Sequence, residues 1–121
     1  MIGLGIDAVE VGRFRRALAR TPRMAERLFT EGELAYGARF VDPAPRLAAR
    51  FAAKEATMKA LGVGLGAVDF RDVEVCTAAS GAPSLRLSGR AAALAGQQGV
   101  TTLHLSITHT DAVAEAVVAA L

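Results

Sequence analysis

The sequence predicts an α+β fold in which helices pack on one side of an antiparallel sheet. After a first strand, helical periodicity fills the first half of the chain, and alternation of apolar and polar residues fills the second. Helices grouped early and strands grouped late are typical of α+β folds, because alternating βαβ units would interleave the two patterns. The chain has 121 residues, 52% of them hydrophobic, so we expect a single domain over residues 1–121 with an aliphatic core.

The first strand is predicted over residues 2–9, where two different faces alternate. Ile and Leu at positions 2, 4 and 6 form an apolar face, and Gly3, Gly5 and Asp7 form the other. Glycine within a strand often marks a place where something approaches the backbone closely. We therefore expect Asp7 to face an open floor, although a solvent-facing carboxylate at a strand end is an equal alternative.

Three helices are predicted next. The first covers Val9–Arg20, and the second starts after Thr21 as its N-cap and Pro22 as its first helical residue. The third starts at Thr30, because Glu33 lies three residues later and the pair has capping-box spacing. The prolines within residues 41–45 predict a loop that stops any helix.

The central helix is predicted from a run of strong helix formers that ends at Gly62. Its buried stripe contains Leu47, Phe51 and Met58, and Glu55 lies at the inner edge of that stripe. A carboxylate at the rim of a buried face costs free energy unless cations or hydrogen bonds compensate it. Two interpretations stay open: an ordinary surface pair with Lys59 at i, i+4, or a functional site.

A glycine-rich turn at residues 62–66 leads into the second half. It lacks the residue order of a P-loop motif. It is therefore either a simple connector or a turn whose backbone amides bind a phosphate. Strands are predicted over 71–77 and 84–87 around a turn at 80–83, and then over 101–108 and 112–121. A short helix capped by Ser88 and ending near Gly99 separates the two pairs of strands.

Composition excludes several classes of protein. No apolar run reaches 18 residues, so we expect no membrane-spanning helix, and we see no signal peptide. The single cysteine, Cys76, cannot form an internal disulfide, which favours a cytoplasmic protein, and we expect it to be a small core residue.

The charge distribution indicates an acidic partner. The net charge is only +2, yet six arginines crowd the first quarter of the chain. A local basic patch on a nearly neutral protein favours a specific acidic partner over general polyanion binding. A small nucleic-acid-binding domain is the alternative, but the patch has few aromatic groups for stacking on single strands.

Two distant carboxylates suggest the chemistry. Asp7 and Glu55 lie on elements that we expect to meet, and oxygen ligands without thiolates or a second histidine suit a hard cation such as Mg²⁺. Lys59, one turn beyond Glu55, is placed to contact phosphates bound to that cation. These residues predict Mg²⁺-dependent chemistry on a phosphate compound.

Three motifs carry a resemblance that covers the whole chain. They are Gly5–Phe14 (GIDAVEVGRF), Arg50–Gly62 (RFAAKEATMKALG) and Leu105–Thr110 (LSITHT). Together, and in this order, they resemble the holo-acyl-carrier-protein synthase family, the small type of 4′-phosphopantetheinyl transferase. The resemblance implies that type of fold, and transfer of 4′-phosphopantetheine from coenzyme A to a serine of apo-acyl carrier protein. Adenosine 3′,5′-bisphosphate would be released, and the carrier would serve fatty acid or polyketide synthesis.

The resemblance also implies roles for individual residues. Asp7 and Glu55 would bind Mg²⁺ and, with Lys59, form the catalytic set. The residues that would bind coenzyme A are Arg50, Lys59, Gly62, Gly64, Pro83, Ser106, Thr108 and His109. The residues that would bind the acidic helix of the carrier are Arg13, Arg20, Arg23, Met24 and Arg27.

Further implications concern assembly and the general base. The family typically forms homotrimers with sites at subunit interfaces, and we expect neither nucleic-acid nor membrane partners.

The general base is left open by the resemblance. Ala35 occupies the position where some relatives carry a carboxylate thought to activate the serine. A metal-bound water, Glu55 or Glu33 could then act as the base. A trimeric relative that has kept the fold without catalysis is a further alternative.

Overall fold

A computed structural model describes all residues from 1 to 121, and it confirms the α+β class with antiparallel strands. No helix in it is long and apolar enough to cross a membrane. In chain order the elements are β1 (Gly3–Glu10), α1 (Val11–Arg20), α2 (Arg23–Leu28), α3 (Glu31–Gly37), α4 (Ala44–Ala60), a 3₁₀ turn (Phe70–Asp72), β2 (Val73–Thr77), β3 (Pro83–Leu87), α5 (Gly89–Gln97), β4 (Leu103–His109) and β5 (Val113–Ala120).

The strands divide between two antiparallel sheets. One has three strands in the order β1-β5-β4, and the other is the β2–β3 hairpin. In the larger sheet Ile6 pairs with Val117, and Val117 pairs with Ser106. Helix α4 packs across the larger sheet and also touches β2, and the two sheets meet directly where β3 contacts β4.

The glycine face of β1 is where α4 lies. A Cβ atom on Gly5 would stand 1.8 Å from the carbonyl oxygen of Ala56, and one on Gly3 would stand 1.8 Å from that of Ala60. The expected close approach to the backbone is therefore confirmed, but the floor in front of Asp7 is occupied by a helix and is not open. The apolar face of β1 points outward, with Leu4 60% and Ile6 63% exposed.

Helix α4 is buried on nearly every side, so the single predicted stripe was too narrow. Its many alanines are the reason, because a methyl group lets a sheet, a helix and a hairpin approach the same helix closely.

The prediction that the prolines before α4 stop any helix is wrong. Pro43 is the N-cap and Pro45 lies in the first turn, where a missing N–H costs nothing, so they begin the helix.

Other boundaries shift slightly. The capping box of Thr30 and Glu33 is confirmed. Helix α1 starts at Val11, because the two residues before it still pair in the sheet. Pro22, and not Thr21, is the N-cap of α2, and the side chain of Ser88 makes no capping hydrogen bond to α5.

A buried ion pair ties α3 and α4 to the hairpin. The side chains of Lys54 and Glu33 are both fully buried, and Lys54 Nζ lies 2.7 Å from Glu33 Oε1. Lys54 Nζ also donates to the carbonyl oxygens of Phe70 at 3.0 Å and Val73 at 2.5 Å. Glu33 Oε2 accepts from the backbone N–H of Val75 at 3.0 Å. All three donors of the ammonium are thus used.

We expect Lys54→Met to lower the free energy of unfolding by about 3–5 kcal/mol, because it leaves the carboxylate of Glu33 buried without a cation. Adding Glu33→Gln should then restore part of the loss, since the amide removes the buried charge and its single oxygen still accepts one of the two backbone bonds. In the wild-type background the same Glu33→Gln change should be destabilising. Urea titrations of the four proteins measure this, and a Glu33→Gln effect of the same sign in both backgrounds would contradict it.

Candidate active site

Asp7, Glu55 and Lys59 come together where β1 crosses α4. Lys59 Nζ lies 3.1 Å from Asp7 Oδ1 and donates to the carbonyl oxygen of Ile6 at 2.8 Å. No ion pair joins Glu55 to Lys59, so the simple surface pair along the helix is not formed. The juxtaposition of the two distant carboxylates, expected from the sequence, is present in the fold.

The carboxylate of Glu55 is held in an unfavourable environment. Partial burial raises its pKa above the ordinary value, and the neighbouring carboxylate of Asp7 raises it further, while Lys59 acts in the opposite direction. The side chain of Asp7 is only 15% exposed. Two acidic groups that interact in this way, with one lysine bound to Asp7, form a site that a further cation would stabilise.

The same two carboxylates line a cavity of about 540 Å³. The rest of its wall is mainly apolar, with Arg13 and Glu10 also on the lining. Three neighbouring phenylalanines line that wall: the ring centroids of Phe14 and Phe51 are 5.2 Å apart with the rings tilted, and those of Phe51 and Phe70 are 5.5 Å apart with the rings stacked. Sequence reasoning missed this wall, although Phe14 and Phe51 both lie in motif segments.

Arg50 occupies a separate cleft of about 500 Å³ that does not contain Asp7 or Glu55. Its side chain lies 3.9 Å over the ring of Tyr36, and Nη2 donates to Thr77 Oγ1 at 2.7 Å. Arg50 is only 5% exposed, its Nε has no hydrogen-bond partner, and no carboxylate pairs with it. Burial lowers the pKa of Arg50, so this guanidinium is a desolvated cation that an anion would satisfy.

Cys76 lines this cleft and is half-buried, so it is not the core residue that the sequence predicted. The inward residues of β2 are Val73 and Val75, and alternation turns Cys76 toward the cleft. Arg39 and Arg86 also line the cleft, and Arg86 forms an ion pair with Glu74.

The remaining predicted coenzyme A contacts do not join Asp7 within one chain. Gly62 and Gly64 lie in the turn after α4, where Gly62 has a φ of 73°, and Pro83 begins β3. Ser106 and Thr108 lie on β4, and β5 separates that strand from β1. His109 is the last residue of β4.

The side chains of Ser106 and Thr108 point to the outer face of the sheet. They are exposed, whereas Leu105 and Ile107, which alternate with them along the strand, pack toward the core. Asp7 faces α4 on the opposite side of the same sheet. Ser106 and Thr108 therefore lie across the sheet from Asp7 within this chain.

The predicted carrier-binding residues lie on α1 and α2. Arg20, Arg23 and Arg27 are exposed, and Arg13 and Met24 line the cavity that contains Asp7. The basic surface is therefore continuous with the rim of the candidate active site.

Glu33 is not available as a general base. It is 1% exposed, and its oxygens already accept bonds from Lys54 and from two backbone N–H groups. Its burial could not be read from the sequence, because the capping box alone places Glu33 at the start of a surface helix.

The donor set fits a divalent cation. Asp7 and Glu55 offer carboxylate oxygens, the ligands that Mg²⁺ prefers, and together with Lys59 they leave a net negative charge. Two protein carboxylates leave further coordination positions for water and for phosphate oxygens, as is usual for Mg²⁺ in proteins.

Comparison with known proteins agrees with these features. Residues 3–119 match the family model of the 4′-phosphopantetheinyl transferase superfamily. The holo-acyl-carrier-protein synthase of Frankia casuarinae is 48% identical over 120 residues, which cover 99% of this chain and 97% of that protein.

Two crystal structures show the same fold. That of the Neisseria meningitidis holo-acyl-carrier-protein synthase has a TM-score of 0.91 and 32% identity, covering 100% of this chain and 98% of that one. The Helicobacter pylori enzyme, solved in complex with coenzyme A, has a TM-score of 0.86 and 30% identity, covering 98% of this chain and 99% of that one.

We expect Glu55→Gln to raise the free energy of unfolding at pH 7 when no divalent cation is present. The pKa of Glu55 is raised in the folded chain, so wild-type stability is retained below the ordinary value of 4.5 and lost as the pH rises through the folded pKa. Glutamine resembles the protonated acid and avoids that loss. The gain should therefore disappear as the pH falls to 4.

Denaturant titrations in EDTA between pH 4 and 8 measure this effect. Glu26→Gln, on an exposed position of α2, is the control and should show no such trend. Equal stability of wild type and Glu55→Gln across the whole range would contradict the assigned environment of Glu55.

Proposed function

The chain belongs to the 4′-phosphopantetheinyl transferase superfamily, and we propose that it transfers 4′-phosphopantetheine from coenzyme A to a serine of an apo-acyl carrier protein. Its relatives are holo-acyl-carrier-protein synthases, which are enzymes of this class. The observation that carries the proposal is the meeting of Asp7, Glu55 and Lys59 beside a cavity. Residues 1–121 would act as one transferase domain, in the cytoplasm.

Asp7 and Glu55 would hold Mg²⁺. When bound, the cation would supply positive charge to the diphosphate of coenzyme A and so make it a better electrophile. The two carboxylates lie close enough for Asp7 to raise the pKa of Glu55, which supports a shared ion.

The transfer itself needs alignment and charge stabilisation. The serine hydroxyl releases its proton to Glu55 or to solvent as its oxygen forms a bond to the phosphorus that carries pantetheine, and the bond from that phosphorus to the bridging oxygen of the nucleotide breaks. The bridging oxygen leaves with adenosine 3′,5′-bisphosphate and gains negative charge. Lys59, half-exposed beside Asp7, would neutralise that charge.

Arg50 would contact a phosphate of coenzyme A. Its guanidinium is buried, stacked over Tyr36 and unpaired at Nε, and no carboxylate neutralises it. A phosphate oxygen would supply the missing acceptor and charge, and Arg is well suited to such planar recognition. Gly62, Gly64 and Pro83 would complete the contacts of this chain to the cofactor.

The carrier protein would bind across α1 and α2. Arg20, Arg23 and Arg27 form an exposed basic surface, and Arg13 and Met24 connect it to the cavity with Asp7. An acidic helix on this surface would bring its serine to the cavity. The continuity with a carboxylate-lined cavity favours this partner over nucleic acid, whose phosphates those carboxylates would repel.

The outer face of the larger sheet would be the interface of a homotrimer. Leu4, Ile6 and Val117 lie next to one another on it and are exposed, which is a large apolar surface for a chain of this size. Ser106 and Thr108 share that face, so an assembly through it would place them at a subunit boundary.

Incubation with coenzyme A, Mg²⁺ and an apo-acyl carrier protein should add the mass of phosphopantetheine to the carrier. Asp7→Asn and Glu55→Gln should each cut turnover by orders of magnitude while circular dichroism stays unchanged, because each removes a charge that holds the cation. Mass spectrometry of the carrier measures the rate, and Glu31→Gln, at an exposed position of α3 outside the carrier surface, is the matched control. Turnover near the wild-type rate in either site variant, at saturating Mg²⁺, would contradict the assignment.

We expect Leu4→Glu to convert the trimer to a monomer, because it places a charge in the apolar interface. Val41→Glu changes an equally apolar, fully exposed residue that lies outside the sheet, so this control should remain a trimer. Light scattering gives the mass of each species. A Leu4→Glu protein that elutes as the wild-type assembly would contradict an interface on this face.

A further inference from the structure

We propose that Lys59 holds Asp7 while the metal is absent and exchanges from Asp7 to the substrate phosphates when the metal binds. The inference rests on the proposed function, because it concerns the same site. Its basis is that Lys59 Nζ already lies against Asp7 Oδ1, at 3.1 Å, where a cation shared with Glu55 would bind.

The side chain of Lys59 has more freedom to move than that of Asp7. The lysine side chain is 53% exposed, whereas that of Asp7 is 15% exposed and lies on a strand that packs against α4. Lys59 is in the last turn of α4, and its ammonium is held only by Asp7 and the carbonyl oxygen of Ile6. A half-exposed lysine with four rotatable bonds can leave both acceptors without disturbing the backbone.

Electrostatics couples the exchange to the metal. Without a divalent cation, the departure of Lys59 would leave Asp7 and Glu55 facing each other with no positive charge between them. With a divalent cation bound, an ammonium still on Asp7 would face like charge at short range and lose favourable energy. Phosphate oxygens beside the cation then offer the nearest negative charge to Lys59.

A static alternative makes different predictions. Lys59 could act as a permanent link between α4 and β1, since its bond to the carbonyl of Ile6 does not involve the carboxylate. A permanent link would stabilise the fold equally with and without metal. A lysine that exchanges would stabilise the fold mainly without metal and would compete with the metal for Asp7.

The first test measures Mn²⁺ binding in the absence of nucleotide. Electron paramagnetic resonance reports the concentration of the free ion. We expect Lys59→Met to bind Mn²⁺ about three- to tenfold more tightly than wild type, because the competitor is gone. Arg13→Met removes a cation from the same cavity that does not touch Asp7, so its affinity should change by less than about twofold. Unchanged or weaker binding by Lys59→Met, or an equal gain in Arg13→Met, would overturn the proposal.

The second test is thermal stability with EDTA and with saturating Mg²⁺. Lys59→Met should melt below wild type in EDTA, and the difference should shrink when Mg²⁺ is added. A difference that Mg²⁺ leaves unchanged would overturn the proposal in favour of the permanent link. Asp7→Asn separates this proposal from the proposed function: if it does not weaken Mn²⁺ binding, the metal site itself is wrong, whereas weakened binding with no gain in Lys59→Met overturns the exchange alone.

Discussion

The contact between β1 and α4 is made by backbone atoms, and the rest of the structure depends on it. Gly3 and Gly5 leave room for the carbonyl oxygens of Ala60 and Ala56 at distances that no Cβ atom would permit. Small residues on both elements allow this approach, and the helix is then enclosed by the larger sheet, α1 and the hairpin. A larger side chain at Gly5 would push α4 outward and separate everything attached to it.

The positions of the candidate active-site residues follow from the same contact between β1 and α4. Asp7 is two residues beyond Gly5 on the same face of β1, while Glu55 and Lys59 immediately precede the two alanines that touch the glycines. The burial of apolar surface along α4 therefore compensates the repulsion that the paired carboxylates introduce. The apolar packing of α4 on the larger sheet thus supports the charged site formed by Asp7, Glu55 and Lys59.

Much of this could be predicted from local pattern, and the rest could not. The capping box at Thr30 and the helix stop at Gly62 depend on spacing within short segments, whereas the meeting of Asp7 with Glu55 was expected from the motifs that contain them. The burial of Lys54 depends on Glu33, 21 residues away, and on backbone carbonyls of the hairpin region. The outward direction of the apolar face of β1 is equally invisible in the sequence, because alternation shows that two faces differ and does not show which one meets the helix.

The most direct test of the central claim is the pKa of Glu55, measured by carbon NMR in metal-free wild type and in Asp7→Asn. If folding brings the two carboxylates together, removing the charge of Asp7 lowers the pKa of Glu55, because the neighbouring negative charge is one cause of its raised value. The release of Lys59 from Asp7 would act in the same direction. An unchanged pKa would show that the two groups are too far apart to hold one cation, and the account of this site would be wrong.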